Sequence, residues 1–107
     1  MKVIWLDDYR EPQQFLYTCL DYKPEDIVIC KNYEDFVDKI EKDGLPEMVC
    51  FDHDLGEDKT GYDACKWLIN YCYERKLSFP AYYIQSANAV GAMNIDQAIK
   101  GYNLKFS

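Results

Sequence analysis

Residues 48–63 read MVCFDHDLGEDKTGYD, an apolar run followed abruptly by an acidic one. Met48–Phe51 comprises four consecutive apolar residues, which is typical of a strand buried on both faces. Asp52, His53 and Asp54 come next, where such a strand would emerge from the core, and His53 is the only histidine of the chain. Because open α/β sheets bind ligands at the carboxyl ends of their strands, we expect the chemistry of this protein at these three residues.

Three more apolar runs of four residues predict further strands, at Val3–Leu6, Ile27–Cys30 and Ala81–Ile84. The segments between these runs have apolar residues at helical spacing, so the sequence predicts that strands and helices alternate. This order predicts an α/β three-layer sandwich with a parallel sheet of four to five strands. Tyr102–Phe106 fits either a short fifth strand or a tail. The length of 107 residues predicts a single domain over residues 1–107.

Four helices are predicted between and after the strands. The first opens at Arg10–Pro12, since proline suits the first helical position, and its apolar stripe is predicted to comprise Phe15, Leu16, Cys19 and Leu20. Asn32 is expected to cap the second helix. The third begins near Thr60 or Gly61, and the fourth is expected to run from about Val90 or Gly91 to Lys100.

Charge and cysteine content exclude several classes of protein. The net charge is −7 and the pI about 4.6, which argues against broad binding to duplex nucleic acid. A small phosphorylated ligand, an RNA end and a basic protein partner are all compatible with this charge. The cysteines number five, with no C-x-x-C spacing, and are expected to be reduced thiols of a cytoplasmic protein. The chain shows no secretory signal and no apolar stretch of membrane-spanning length.

Polar clusters follow three of the predicted strands, and right-handed crossovers would bring those three strand ends together. Asp7 and Asp8 follow the first strand, Asp52 the third, and Gln85, Ser86 and Asn88 the fourth. Each pair of like charges at about 4 Å costs roughly 4 kcal/mol at an effective dielectric of about 20. A bound cation removes this cost, and hard oxygen ligands favour Mg²⁺. We expect a Mg²⁺ or Mn²⁺ site built from Asp7 or Asp8 with Asp52; the alternative is that Asp7 and Asp8 cap the first helix and that Asp52 and Asp54 are solvated loop acids.

His53 lies between two acids, and a neighbouring carboxylate favours the charged imidazole. A charged imidazole suits a proton donor in phosphate chemistry. The alternative is a turn histidine that is bonded to Asp54 or to the backbone.

Ser86 and Asn88 precede a predicted helix, and helix N-termini bind phosphate through free backbone N–H groups. Either residue is equally able to be an ordinary N-cap. Arg10 offers a bidentate phosphate contact, although it is also placed to pair with Glu11 or Asp8.

The pattern of a response-regulator receiver domain is similar to the one found here: Asp7 and Asp8 end the first strand, Asp52 the third and Ser86 the fourth. A closer resemblance is to the receiver-like family that processes cyclic phosphates. The matching segments are Leu6–Pro12, Phe51–Gly56, Thr60–Asp63 and Ser86–Met93. The resemblance implies a flavodoxin-like fold and a small phosphodiesterase-like enzyme acting on a cyclic phosphate, either on an RNA end or on a small nucleotide.

The convergence of the three polar strand ends leads to a hypothesis for the role of each site residue. Mg²⁺ would be held by Asp7, Asp8 and Asp52, and His53 would donate a proton to the leaving oxygen with Asp54 orienting it. The phosphate oxygens would be held by Gln85, Ser86 and Asn88, with Arg10 as a further clamp.

One residue departs from the family pattern. Gln85 stands where the family usually has a second histidine, so only half of an acid–base pair is present unless Asp54 or metal-bound water is the base. Two alternatives to an enzyme therefore stay open. One is a receiver switch phosphorylated on Asp52, for which Lys105 is a poor match to the lysine of receiver domains. The other is a non-catalytic module that binds a nucleotide or a protein.

Overall fold

A computed structural model gives the fold and describes residues 1–106. The four strands occupy the predicted residues, and they alternate with four helices. In chain order the elements are β1 Val3–Leu6, α1 Phe15–Thr18, β2 Ile27–Cys30, α2 Tyr33–Asp43, β3 Met48–Phe51, α3 Gly61–Arg75, β4 Ala81–Ile84 and α4 Ala89–Phe106. Asn32 caps α2 as expected, since its side chain accepts a hydrogen bond from the backbone N–H of Asp35.

The strands form one parallel sheet in the order β2-β1-β3-β4. This is an α/β flavodoxin-like receiver fold, as the sequence predicts, and the sheet has four strands within residues 1–106. The chain leaves β1 toward β2 and leaves β3 toward β4, in opposite directions across the sheet. The crevice between the carboxyl ends of β1 and β3 is therefore the position at which such sheets bind ligands.

The two faces of the sheet carry cores of unequal size. The larger core packs α2, α3 and α4 against one face, on which Leu6 and Phe51 lie. The smaller core lies on the other face, around Trp5 and Cys50, and is covered by α1 and its flanking loops. The α1 face is thus thinly covered, and half-exposed Ile29 of β2 lies at its margin.

The prediction of a first helix opening at Arg10–Pro12 was wrong. Only one helical turn forms, at Phe15–Thr18, and of the predicted apolar stripe Cys19 and Leu20 are exposed. The indole N–H of Trp5 donates to the Arg10 carbonyl at 3.0 Å, which ties this part of the chain to the sheet as a loop.

The carboxyl end of α4 also differs from the prediction. The helix continues past Lys100 to Phe106, so the segment Tyr102–Phe106 is neither a strand nor a tail. Ile95, Ile99 and Tyr102 fall on one helical stripe and are buried. The Tyr102 hydroxyl donates to the Leu77 carbonyl at 2.6 Å, and this contact holds the last turns of α4 against the end of α3.

The cysteines are unpaired within the described residues, as the sequence predicts. Four of them are buried, and burial raises the pKa of the Cys65 thiol to about 12 and that of Cys72 to about 11. Both thiols are therefore protonated and unreactive at neutral pH. Among residues 1–106, the helices all lack the combination of length and apolarity needed to span a membrane.

We predict that Gly61→Ala destabilises the fold by about 3 kcal/mol. A Cβ atom at Gly61 would overlap the backbone carbonyl of Asp52, which the first turn of α3 touches. Gly101→Ala is the matched control, because a Cβ in that part of α4 meets nothing within 4 Å and alanine favours a helix interior by about 0.5–1 kcal/mol. Urea unfolding of the two variants tests the contact. Equal stability of Gly61→Ala and the wild type would contradict it.

Candidate functional site

The regular strand register continues for one residue beyond β1 and β3. The backbone N–H of Asp52 donates to the Leu6 carbonyl at 2.9 Å, and that of Asp7 donates to the Cys30 carbonyl at 3.0 Å. Asp7 and Asp52 are consequently neighbours on adjacent strands, and both are buried, with 1% and 5% of their surface exposed. One carboxylate oxygen from each of Asp7, Asp8 and Asp52 lies within 4.8 Å of the others, with Asp8 exposed at the rim. These three residues are called the acid cluster below.

The Asp7 carboxylate is used by the backbone on one side. Its Oδ1 accepts hydrogen bonds from the N–H groups of Tyr9 at 2.9 Å and Arg10 at 2.8 Å. Asp7 therefore caps the turn after β1. This agrees in part with the alternative in which Asp7 and Asp8 are capping residues. Its Oδ2 faces the Arg10 guanidinium and the amide of Gln85, each at 3.5 Å.

Arg10 is the cation of the acid cluster. Its guanidinium lies 3.5 Å from Asp7 Oδ2 and 3.5 Å from Asp52 Oδ1, and about a third of its side chain is exposed. It pairs with these two acids and not with Glu11 or Asp8, which the sequence had allowed. One guanidinium charge leaves the cluster of three carboxylates short of neutrality.

Burial raises the pKa of Asp52, and repulsion from Asp7 adds to the rise, while Arg10 opposes it more weakly. Three carboxylates face one guanidinium, so the site holds more negative charge than its own arginine compensates. Hard carboxylate oxygens that are close together and under-neutralised suit a divalent cation such as Mg²⁺ or Mn²⁺. The residues present fit the predicted cation site.

His53 forms a second group with Asp54 and Asn88. Its Nδ1 lies 2.9 Å from Asp54 Oδ1 and 3.5 Å from Asn88 Nδ2. The shorter contact, to a carboxylate, is the stronger one and assigns a proton to Nδ1. The same hydrogen bond is the main reason why the pKa of Asp54 is lowered. Within residues 1–106, Nε2 of His53 has no hydrogen-bond partner, so this nitrogen is the one left for a ligand.

Two glycines fix the position of His53, and sequence reasoning assigned neither of them a role in the site. A Cβ atom at Gly91, in the first turn of α4, would overlap the His53 ring. The N–H of Gly61 donates to the His53 carbonyl at 2.7 Å. A glycine inside a helical pattern often marks a close approach of this kind, and that was the available signal.

Ser86 and Asn88 shape the entry to α4. Ser86 Oγ accepts from the Asn88 N–H at 3.0 Å, and Asn88 Oδ1 accepts from the Gly91 N–H at 2.9 Å. Both residues therefore act as local caps, which was the alternative to a phosphate-binding role. The N–H groups of Ala89 and Val90 have no partner in the described part of the chain, so the helix still presents two donors.

Gln85 is buried behind Asp7. Its Nε2 donates to the Leu6 carbonyl at 3.1 Å and approaches Asp7 Oδ2 at 3.5 Å. Its Oε1 is the one buried side-chain oxygen or nitrogen without a partner in residues 1–106. Gln85 thus contacts the acid cluster directly and does not contact His53.

The predicted site residues divide between the two sides of the sheet edge. Side chains alternate along a strand, and Asp52 follows Cys50 onto the α1 side, where it meets Arg10. His53 follows Phe51 onto the other side, where it packs on α4. A ligand above the end of β3 would therefore meet carboxylates from one side and an imidazole from the other.

Comparison with protein families matches residues 2–101 to the model of the Cyclic-phosphate processing Receiver domain. The match covers nearly the whole chain, and the protein belongs to this family of receiver domains. Comparison with curated proteins gave no match.

We predict that Asp52→Asn stabilises the ion-free protein at pH 7. The pKa of Asp52 in the folded protein is above its ordinary value of 3.8, so the folded state holds this proton more tightly than the unfolded chain. The stabilising contribution of Asp52 is therefore complete below that value and is lost as the pH rises through the raised pKa. Asparagine carries no charge to lose, although it also weakens the pair with Arg10, which is the smaller effect.

Urea unfolding in EDTA between pH 3 and pH 7 measures this difference. We expect Asp52→Asn to exceed the wild type in free energy of unfolding at pH 7, with the gain shrinking toward pH 3. Asp58→Asn is the control, since Asp58 is exposed and outside the acid cluster. A gain that does not depend on pH would show that the charge of Asp52 is not its cause.

Proposed function

We propose that this protein hydrolyses a cyclic phosphate, on an RNA end or a small nucleotide, with the help of a divalent cation. The observation that supports it best is the pairing, across the end of β3, of an under-neutralised acid cluster with an imidazole whose Nε2 has no protein partner. Membership of the family named for cyclic-phosphate processing supports the substrate class. The buried, unpaired cysteines are in keeping with a cytoplasmic location.

Asp7, Asp8 and Asp52 would hold Mg²⁺ or Mn²⁺. The cation supplies charge neutralisation at the phosphate oxygens and lowers the pKa of a bound water. For Asp7 to contribute, the Arg10 guanidinium must move away from Oδ2, because Oδ1 is already used by two backbone N–H groups. The released guanidinium is then free to clamp a phosphate oxygen.

His53 is the residue that moves a proton in this proposal. Asp54 holds Nδ1–H and so orients the ring, and Nε2 would face the ligand. Water attacks phosphorus and releases a proton to solvent as the ring P–O bond breaks, and Nε2–H of the imidazolium form donates a proton to the oxygen that leaves. Such a positioned acid contributes typically 10²- to 10⁴-fold in rate.

The phosphate oxygens would be held at the entry to α4. The free N–H groups of Ala89 and Val90 are donors of the kind that bind anions at helix N-termini. Ser86 and Asn88 would shape this entry and supply further polar contacts. Gln85 would contribute from the buried side of the site, where its amide approaches Asp7 Oδ2.

A phosphorylated Asp52 switch is a weaker proposal. Receiver domains pair the phosphoacceptor with a lysine, and the candidate is Lys105. It lies in the last turn of the 18-residue helix α4, roughly 24 Å along the axis from the first turn that borders His53. A lysine at that distance does not reach the acid cluster.

We predict that Mg²⁺ raises the thermal stability of the wild type and leaves that of Asp52→Asn nearly unchanged. Binding to the folded state alone stabilises it by about 1.4 kcal/mol at an ion concentration ten times the Kd. Calorimetry with MgCl₂ and with EDTA measures the shift. Asp58→Asn should respond like the wild type. An equal response of Asp52→Asn would rule the acid cluster out as the cation site.

We predict turnover of cyclic phosphates that depends on His53. The purified protein is incubated with Mg²⁺ and a panel of RNA oligonucleotides ending in 2′,3′-cyclic phosphate and of cyclic nucleotides, and ring opening is followed by chromatography. We expect His53→Ala to lose 10²- to 10⁴-fold in rate while keeping the Mg²⁺-induced stabilisation.

The Gln85→His variant separates an enzyme from a binder in the same assay. If the wild type forms no product from any member of the panel and Gln85→His does, the natural chain is a binder, and the hydrolytic proposal is wrong. Product from the wild type that persists undiminished in His53→Ala would instead reject the assigned role of His53.

A further inference from the structure

We infer that a groove beside the acid cluster binds the nucleobase of the ligand. The inference rests on the proposed function, in which the cyclic phosphate belongs to an RNA end or a small nucleotide, and deepens it by placing the base in a groove of named residues. The groove has a volume of about 470 Å³ and is lined by Asp7 of the acid cluster and by Arg10, which pairs with that cluster. That volume lies within the range of small-molecule sites, about 300–1,000 Å³.

The groove exists because the α1 face of the sheet is thinly covered. α1 comprises one turn, so it leaves the outer strand β2 partly bare. Ile29 of β2, on the same face as Trp5 by the strand register, is 43% exposed and lines the groove. An exposed aliphatic side chain beside a charged cluster offers an apolar surface that a phosphate alone does not need.

Tyr9 provides an aromatic surface in the same groove. It is 88% exposed, the highest value among the large apolar side chains of the described residues, and makes no ring contact with another aromatic residue there. Its backbone is nevertheless fixed, since its N–H donates to Asp7 Oδ1 at 2.9 Å. The residue is therefore anchored next to the acid cluster through its backbone, while its ring is open to solvent. Aromatic side chains in this situation are stacking platforms for nucleobases.

Three charged groups of the groove, Lys31, Glu11 and Asp35, have no ion-pair partner within residues 1–106, and Asp35 accepts a hydrogen bond from the Asn32 amide. Lys31 follows β2, and Glu11 follows Arg10; both line the groove. A lysine donates to base carbonyl groups or to phosphate, and a glutamate accepts from base amino groups. Together with Tyr9 and Ile29 they supply the apolar surface and polar edge contacts that a base requires, whereas a base-free cyclic phosphate would not use the apolar surface of Tyr9 and Ile29.

The position of the groove agrees with the chemistry of the ligand. In a nucleoside 2′,3′-cyclic phosphate the ribose separates base and phosphorus, so the two must bind in adjacent pockets. Arg10 is at the boundary here, because it lines the groove and pairs with Asp7 and Asp52. The phosphate would lie on the cluster side of Arg10 and the base on the Tyr9 side.

Equilibrium titration followed by NMR, with MgCl₂ present, tests the inference, and only the points at which the ³¹P signal shows the cyclic probe to be intact are used. The probes are adenosine 2′,3′-cyclic monophosphate and glycerol 1,2-cyclic phosphate, which has no base. We expect the wild type to bind the nucleotide about tenfold more tightly than the base-free probe, the size expected of one stacking contact. Tyr9→Ala should remove this advantage without weakening the base-free probe. Tyr9→Phe should retain it, because stacking needs the ring and not the hydroxyl.

Tyr73→Ala is the matched control, since Tyr73 is 72% exposed on α3 and lines a different cavity. Equal affinity of the wild type for both probes, or a nucleotide advantage that survives in Tyr9→Ala, would overturn the base subsite and leave the proposed function standing. If the wild type binds neither probe, the proposed function fails together with the subsite.

Discussion

The register between β1 and β3 forces two carboxylates together, and much of the structure follows from this constraint. Leu6 pairs with Phe51, and the next residue of each strand is an aspartate. Asp7 and Asp52 are buried side by side because parallel strands in register present equivalent positions at the same height. Burial, together with repulsion from Asp7, raises the pKa of Asp52.

The chain after β1 is organised to offset that charge. Asp7 accepts hydrogen bonds from two backbone N–H groups, and the Trp5 indole donates one to the Arg10 carbonyl. The Arg10 guanidinium pairs with both Asp7 and Asp52. A helix starting at Arg10 would be incompatible with this wrapped loop, so α1 is reduced to one turn. The short helix in turn leaves a bare margin on β2, where the groove beside Tyr9 lies.

His53 obeys a different constraint from its neighbour Asp52. Strand alternation sends it to the side of the sheet that carries α3 and α4, where the lack of a side chain at Gly91 makes room for its ring. Two reactive groups that are adjacent in sequence are thereby separated by the edge of the sheet. Their separation suits a ligand that lies between them and is approached from both sides.

The sequence by itself determined the four strands, their parallel α/β arrangement and the acidic residues at the strand ends, because apolar runs and abrupt changes to polar residues are local signals. Only the tertiary structure decided that Arg10 pairs with Asp7 and Asp52, that Gln85 packs behind Asp7, and that Tyr102 extends α4. For each of these residues the sequence allows several partners, and local sequence signals do not distinguish between them. The partner that each residue contacts depends on which side chains the sheet register and the helix packing bring together. The amino-acid sequence alone does not give these distances.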